Sequence, residues 1–122
     1  MKSFGATTWL IPDGYWQTFS TGKFPSHEAV CVLNTGDTDA KITMTLYFED
    51  REPMKEFVSH CAARRTHHVR MDKLKNSKGE PVPQGVPYAI LVESNTPVVI
   101  QYSRMDTTQA EMALMTAIAF AS

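Results

Sequence analysis

The chain has 122 residues, of which 43% are hydrophobic and 20% are charged, and its formal net charge is -1. This composition is typical of globular proteins, and the length predicts a single domain over residues 1–122. The near-neutral charge argues against a general attraction to nucleic acid or anionic lipid. No apolar run is long enough to span a bilayer, and the N-terminus lacks a signal-peptide pattern, so a cytoplasmic location is expected.

Hydrophobic residues alternate with a period of two along most of the chain, which predicts β-strands. In the clearest strand, Ile42, Met44 and Leu46 take one face while polar residues take the other. Turn residues separate the strands, and no long amphipathic helix intervenes. The pattern therefore predicts an all-β fold, an antiparallel β-sandwich. The predicted strands are Thr7–Ile11, Glu28–Leu33, Lys41–Glu49, Glu56–Cys61, Thr66–Asp72, Tyr88–Glu93 and Val98–Arg104.

Short connections separate three pairs of these strands. The turn-rich segment Asn34–Asp39 predicts a hairpin between the second and third strands. Ala62–Arg65 is expected to connect the fourth and fifth strands, and Ser94–Pro97 predicts a turn between the last two. Both faces of Glu28–Leu33 are apolar, which indicates a central strand or one whose outer face meets another subunit.

Two segments lack the pattern of a simple strand. Lys73–Pro87 contains three prolines, two glycines and three lysines, so it is predicted to be a long loop that is either mobile or functional. The C-terminal segment Thr107–Ala121 fits both a helix and an alternating strand. A helical turn near Gln109 followed by a strand is expected there.

Polar residues fall into two groups if each connection reverses the chain. A cluster of imidazole, carboxylate and guanidinium groups at one end of a sandwich suits a small polar ligand. The same residues are equally able to pair with one another and cap the strands. One end collects His27, Glu28, Asp72, Arg104 and Asp106, and the other collects Asn34, Asp37, Arg64, Arg65 and Asn95.

The sequence carries no recognised catalytic, nucleotide-binding or metal-binding motif, so neither an enzyme nor a cofactor is predicted. If the fourth and fifth strands pair, His60 lies opposite His67 with Cys61 nearby, but a metal site needs three or four converging ligands. No metal is therefore expected. The basic run Arg64–Arg70 is able to contact phosphates, yet alternation sends half its side chains to each face, which favours a solvated strand.

An ordered set of motifs covers most of the chain and resembles the sensory rhodopsin transducer family. The motifs are Ser26–Asn34 with Gly36-Asp37 and Asp39-Ala40, Glu52-Pro53, Ala63–Thr66 with His68–Arg70, Ser94-Asn95 with Pro97–Val99 and Gln101, Arg104 with Asp106, and Gln109–Glu111. The resemblance implies a compact β-sandwich. It also implies a cyclic homotetramer, a membrane photoreceptor as partner, a link to DNA binding, and sugars or related compounds as ligands.

The residues and the resemblance together predict a non-enzymatic binding module that recognises a small, sugar-like ligand and couples it to a partner. Arg104 is expected to pair with an anionic or hydroxyl group of the ligand. The other predicted ligand-binding residues are His27, Glu28, Gln101, Asp106 and Trp9, and the second polar cluster is Asn34, Arg64, Arg65 and Asn95. A homo-oligomer, expected to be a tetramer, would use Ala29–Leu33 and the Met- and Ala-rich C-terminal segment as interfaces.

Two alternatives remain open at this point. One is a soluble transducer that docks on a microbial rhodopsin or another receptor, or that regulates transcription by binding DNA. The other is a small carbohydrate-processing enzyme, in which the carboxylates of Glu28 and Asp106 would be the groups to test.

Overall fold

A computed structural model describes residues 4–20, 25–107 and 113–122 of the chain. Within these ranges there are eight β-strands and a short 3-10 helix at Met71–Lys73. None of the described helices is long and apolar enough to cross a membrane. The strands are β1 (Ala6–Gly14), β2 (His27–Asn34), β3 (Ala40–Phe48), β4 (Met54–Cys61), β5 (Arg65–Arg70), β6 (Tyr88–Asp106), β7 (Ala113–Ile118) and β8 (Phe120–Ala121).

The strands form two antiparallel layers that share β6. Sheet A has the order β4-β3-β6-β1-β8, and sheet B has the order β5-β2-β6-β7. The first half of β6 pairs with β1 and β3, and its second half pairs with β2 and β7. The predicted all-β antiparallel sandwich is confirmed.

The core lies between the two sheets and follows the alternation of the sequence. In β3, Ile42, Met44 and Leu46 are fully buried, as their period of two predicts. In β2, Val30 and Val32 point into the same core from the opposite sheet. Burying these aliphatic and aromatic side chains is the main favourable contribution to folding.

Two predicted strand pairings are wrong. β2 and β3 do not form a hairpin, because β2 belongs to sheet B and β3 to sheet A. The connection from β4 to β5 also crosses between sheets, so His60 does not lie opposite His67; His60 faces Lys41 on β3, and His67 faces Val32 on β2. Both connections are longer than the two-residue turns that favour hairpins, and crossing lets each strand bury its apolar face against the other sheet.

The chain reverses at Ser94–Pro97 as predicted, because the halves of β6 before and after these residues both reach Glu28 at one end of the sandwich, whereas Asn95 contacts Lys41 at the other. Ser94–Pro97 lie within the nineteen-residue strand β6. They form a bulge: Ala6 of β1 faces Val98, but Thr8 already faces Glu93. The chain turns back here as it passes from sheet A into sheet B. Tyr88 and Tyr102, one from each half of β6, consequently meet at the same end of the sandwich.

The structure also describes the long loop Lys73–Pro87 and part of the C-terminal segment Thr107–Ala121. The loop after Met71–Lys73 is tied to the sandwich by the buried side chain of Val82 and by a hydrogen bond of 2.8 Å from Gly85 N to the Trp16 carbonyl. The expected C-terminal strand is confirmed as β7, whereas the expected helical turn near Gln109 lies outside the described residues.

Candidate functional site

A buried carboxylate, Glu28, lies at the centre of the candidate site. Alternation along β2 turns Glu28 inward together with Val30 and Val32, and its residue exposure is only 1%. An ionised carboxylate in such a position is costly unless hydrogen-bond donors surround it. The groups that contact this carboxylate are therefore held in fixed positions at this end of the sandwich.

Donors approach Glu28 from β6 and from the segment just after β1. The hydroxyl groups of Tyr88 and Tyr102 each donate to one of its carboxylate oxygens. The backbone N–H of Tyr15, just after β1, donates to Oε2 at 2.6 Å. Arg104 lies directly opposite Glu28 in the β2–β6 register, and its Nε is 3.9 Å from Oε2. This arrangement pairs the charge and satisfies the buried oxygens.

Arg104 connects the buried network to the surface. Its Nε donates to the Tyr102 hydroxyl at 3.1 Å, and its guanidinium carbon lies 5.7 Å from the centre of the Tyr102 ring. Its Nη2 reaches the backbone carbonyl of Asp13 at 3.4 Å and the Asp13 carboxylate at 3.5 Å. With 19% of its side chain exposed, the guanidinium is within reach of a molecule from solution.

The environment keeps both tyrosines protonated. Burial raises the pKa of Tyr88 well above its usual range, and the charge and hydrogen bond of Glu28 raise it further. The same causes, in the same order, raise the pKa of Tyr102. Burial lowers the pKa of Arg104, but the Tyr102 hydrogen bond and the charges of Asp13 and Glu28 outweigh it, so the net shift is upward. The site therefore combines two neutral hydroxyl donors with a guanidinium that stays protonated.

A groove of about 340 Å³ opens beside this network, between β1 and β7. Arg104 contacts two of its lining residues, Asp13 and Tyr102, and faces a third, Met115, across the β6–β7 register. The lining residues are Ile11, Pro12, Asp13, Tyr102, Met115, Ala117, Ile118 and Ala119. A small ligand in this groove would meet mostly apolar walls, the exposed carboxylate of Asp13 and one cation at the side.

The predicted ligand-binding residues are not all brought together. Glu28 and Arg104 face each other on the inner side of sheet B, but His27 and Gln101 lie on the outer side, because neighbouring residues in a strand alternate. Gln101 faces Cys31 and Ile118 there, away from Arg104. The His27 ring lies 3.1 Å from the Pro25 carbonyl.

The remaining predicted residues lie around the edge of the network or in the core. Asp106 is 3.5 Å from the side-chain nitrogen of Gln17. Asp72 pairs with Arg70 through two hydrogen bonds of 2.8 Å each. Trp9 is buried in the core, and its indole N–H is shared between the carbonyls of Ala6 and Val98, each at 3.0 Å.

The second polar cluster does gather at the opposite end, where it joins three connections. The buried side chain of Asn34 donates to the carbonyls of Thr38 and Cys61 at 2.9 and 3.1 Å. Arg64 pairs with Asp37 at 2.7 Å, and Asn95 accepts a hydrogen bond of 2.7 Å from the backbone of Lys41. Arg65 lies on β5 opposite Asn34. These contacts are typical of a structural cap, since the groups satisfy one another.

The described residues contain no group of three or more His, Cys, Asp or Glu side chains able to hold a metal ion.

The basic run Arg64–Arg70 is divided as alternation predicts: Arg65 and His67 face one side of β5, and His68 and Arg70 face the other. Arg64 and Arg70 are already paired with Asp37 and Asp72.

Sequence reasoning missed Tyr88, Tyr102 and Asp13. A signal for the tyrosines was present, because Glu28 is in phase with Val30 and Val32 and must therefore be buried with donors around it. Tyr102 lies two residues before Arg104 and so shares its face of β6. No sequence signal places Asp13 beside Arg104, since that contact depends on how the two sheets pack.

Residues 4–121 match the family model described as Anabaena sensory rhodopsin transducer. No match was found among the curated proteins.

Two solved structures are similar to this chain. The crystal structure of Thermotoga maritima 1070 is 40% identical, with a TM-score of 0.86 and coverage of 97% of this chain and 96% of that chain. The structure of the Anabaena sensory rhodopsin transducer is 38% identical, with a TM-score of 0.74 and coverage of 84% of this chain and 97% of that chain. These matches confirm the resemblance found in the sequence, and the chain belongs to the Anabaena sensory rhodopsin transducer family.

Proposed function

We propose that this protein is a non-enzymatic, cytoplasmic, single-domain signalling module that binds a small ligand beside Arg104 and couples binding to a partner. The ligand carries a hydroxyl or carboxylate group that accepts a hydrogen bond from the guanidinium. Sugars and sugar acids are the first compounds to test. Membership of a family named for a transducer supports a role in relaying a signal rather than in turnover.

The observation that carries this proposal is the incomplete use of the Arg104 donors. Arg104 donates hydrogen bonds through Nε and Nη2, and within the described part of the chain Nη1 makes none. Glu28 and the Tyr102 hydroxyl hold the guanidinium from one side, so its position is fixed before any ligand arrives. A preorganised donor beside a groove is a feature of ligand sites, because less conformational entropy is lost on binding.

The second candidate function is docking on a receptor by the sandwich itself, without a small ligand. It is favoured by exposed apolar residues on the outer side of sheet A, where Leu10 faces Phe120 across the β1–β8 register and Tyr47 is also exposed. Exposed apolar patches of this kind mark protein interaction sites.

A homo-oligomer, with a tetramer as the expected form, is part of the proposal. The outer side of sheet B carries the exposed side chains of Leu33, Leu114 and Ile118. Between these residues lie the outward-facing side chains of the central strands, which are Ala29, Cys31, Val99, Gln101 and Ser103 and carry no charge. A second copy of the chain is the occupant that we assign to this face, since self-association needs an uncharged, self-complementary surface.

The ligand proposal is tested by thermal unfolding against a panel of sugars, sugar acids, polyols and simple carboxylates. A compound that binds only the folded chain adds about 2.7 kcal/mol of stability at a hundredfold excess over Kd. We expect a rise in Tm for the wild type and for Arg64→Ala, whose guanidinium lies at the opposite end, but not for Arg104→Ala. A panel that leaves the wild-type Tm unchanged would shift the assignment to receptor docking.

A further inference from the structure

We propose that the ligand class of the Arg104 groove is an amphipathic monocarboxylate, a molecule with one carboxylate and an apolar body, rather than a polyol. This inference rests on the proposed function and narrows its ligand. It follows from three features of the groove: its walls, the position of the guanidinium, and the group that now occupies the guanidinium's outer edge.

The walls of the groove have little capacity for hydroxyl groups. Ile11 and Pro12 form one side, while Met115 and Ala117 form the other. Tyr102 also lines the groove, but its hydroxyl is already committed to Glu28 and Arg104. A polyol placed here would leave several hydroxyls without partners, which is unfavourable, whereas an alkyl or aryl body would remove apolar surface from water.

The guanidinium of Arg104 is positioned for a carboxylate. Its Nε is held by the Tyr102 hydroxyl, so its Nη groups are the ones directed to new partners. Two adjacent N–H donors of a guanidinium match the two oxygens of a carboxylate, and this bidentate pairing is stronger than a hydrogen bond to a neutral hydroxyl.

Asp13 now occupies the place that we assign to the ligand carboxylate. Its carboxylate is 3.5 Å from Nη2, longer than a typical charge-assisted hydrogen bond, and 78% of its side chain is exposed. An exposed side chain in so loose a contact is easily displaced. A ligand carboxylate that replaced Asp13 would preserve the local charge balance with Arg104 and the buried Glu28.

Four six-carbon compounds separate the contributions of the head group and the body. Sodium hexanoate has both the carboxylate and the apolar body, hexan-1-ol lacks the carboxylate, gluconate has the carboxylate on a polyol, and sorbitol lacks both. Binding is measured by isothermal titration calorimetry, and by NMR of the Met115 methyl group assigned with Met115→Leu. We expect hexanoate to bind about tenfold or more tightly than hexan-1-ol and gluconate.

Three variants test which residues are responsible for the tighter binding of hexanoate. Arg104→Gln should weaken hexanoate binding about tenfold or more and leave the weak binding of hexan-1-ol unchanged, because only the charged head group is affected. Asp13→Asn should strengthen hexanoate binding by about threefold or more, because the competing carboxylate is removed. Arg64→Gln, which changes a guanidinium at the opposite end, should bind hexanoate like the wild type.

The outcomes distinguish this inference from the proposed function. If gluconate or another sugar compound binds in an Arg104-dependent way and hexanoate does not, the ligand module stands and the amphipathic class is overturned. Hexanoate binding that is unaffected by both Arg104→Gln and Asp13→Asn would also overturn it. If none of the panel compounds, including hexanoate, binds to the wild type, both proposals fail.

Discussion

Glu28 shows how one residue on a strand organises a whole end of the molecule. Its position in phase with Val30 and Val32 places a carboxylate in the core, where donors from the segment after β1 and from both halves of β6 surround it. The cost of burying the charge is offset only while these donors stay in place. Glu28 therefore couples the position of Arg104 to the integrity of the core.

Glu28→Gln should lower the free energy of unfolding at neutral pH by about 1–3 kcal/mol, because the Tyr15 N–H then faces an amide instead of a carboxylate and Arg104 loses its buried counter-charge. Chemical denaturation measures this change. Glu56→Gln is the control, since that carboxylate accepts a hydrogen bond from the Ser77 hydroxyl at an exposed site. Equal losses in the two variants would contradict the central role of Glu28.

The same variant should change the response to alkaline pH. Because the folded state raises the pKa of Tyr88 and Tyr102 above the ordinary value of 10.0, their contribution to stability is complete below pH 10.0 and is lost as the pH rises through the folded values. Removing the Glu28 charge removes one cause of those shifts, so the alkaline loss of Tm should be shallower in Glu28→Gln than in the wild type.

At the scale of strands, the sequence predicts the elements better than their partners. The alternation in Lys41–Glu49 identifies β3 and the apolar run Glu28–Leu33 identifies β2, because both patterns are local properties of the chain. The turn residues in Asn34–Asp39 indicate a reversal but not whether it stays in one sheet. The two polar ends were nevertheless predicted from chain direction, since a connection between sheets reverses the chain as a hairpin does.

The site was also predictable only in part, because the sequence shows the strands but not how they pair and pack. Chain direction places Glu28 and Arg104 at the same end of the sandwich, and the structure shows that they lie opposite each other on adjacent strands. Grouping His27 and Gln101 with them ignored the pleat, which turns alternate side chains to the outside. The groove beside Asp13 is formed by the packing of sheet A on sheet B, and a pairing between distant strands leaves no local pattern in the sequence.

The bulge in β6 depends on a close approach by the start of β1. Gly5 has a φ of +103°, and a Cβ at this position would overlap the carbonyl of Val98, where the bulge ends. Gly79 has a similar φ of +79°, but a Cβ there would meet nothing within 4 Å. The two glycines thus share the left-handed conformation and differ in the space around them.

Gly5→Ala should therefore lower the free energy of unfolding by about 1–3 kcal/mol more than Gly79→Ala does, because both alanines are strained and only the first also displaces backbone. Equilibrium denaturation of the two variants checks the difference. Similar losses would show that β1 and β6 separate at this point without cost, and the bulge would then not hold the two sheets in register.

At the scale of the whole molecule, the two outer sides of the sandwich differ in what they offer. Beyond His27, the outer side of sheet B joins β2 to the edge strand β7 with uncharged side chains, and six consecutive residues of β7 are exposed. An exposed apolar edge strand is an energetic liability unless another chain covers it. Self-association through this side would remove the liability and leave sheet A free for a different partner.

The oligomer proposal predicts that Leu33→Lys and Leu114→Lys each convert the wild-type assembly into a smaller species. Both residues lie on the outer side of sheet B, outside the ligand groove, and are 45% and 72% exposed in the single chain. Covering this side in a stable interface would bury about 800 Å² on each partner, and a lysine placed there would have to be desolvated without a counter-charge.

Light scattering coupled to size-exclusion chromatography measures the mass of each species, and circular dichroism checks that the variants remain folded. Tyr47→Lys, at a 45% exposed site on sheet A, is the matched control and should keep the wild-type mass. A wild type that is monomeric at micromolar concentration, or a loss of mass in Tyr47→Lys alone, would overturn the assignment of sheet B to self-association. In the second case the apolar side of sheet A would be the interface between copies, and the receptor would have to dock elsewhere.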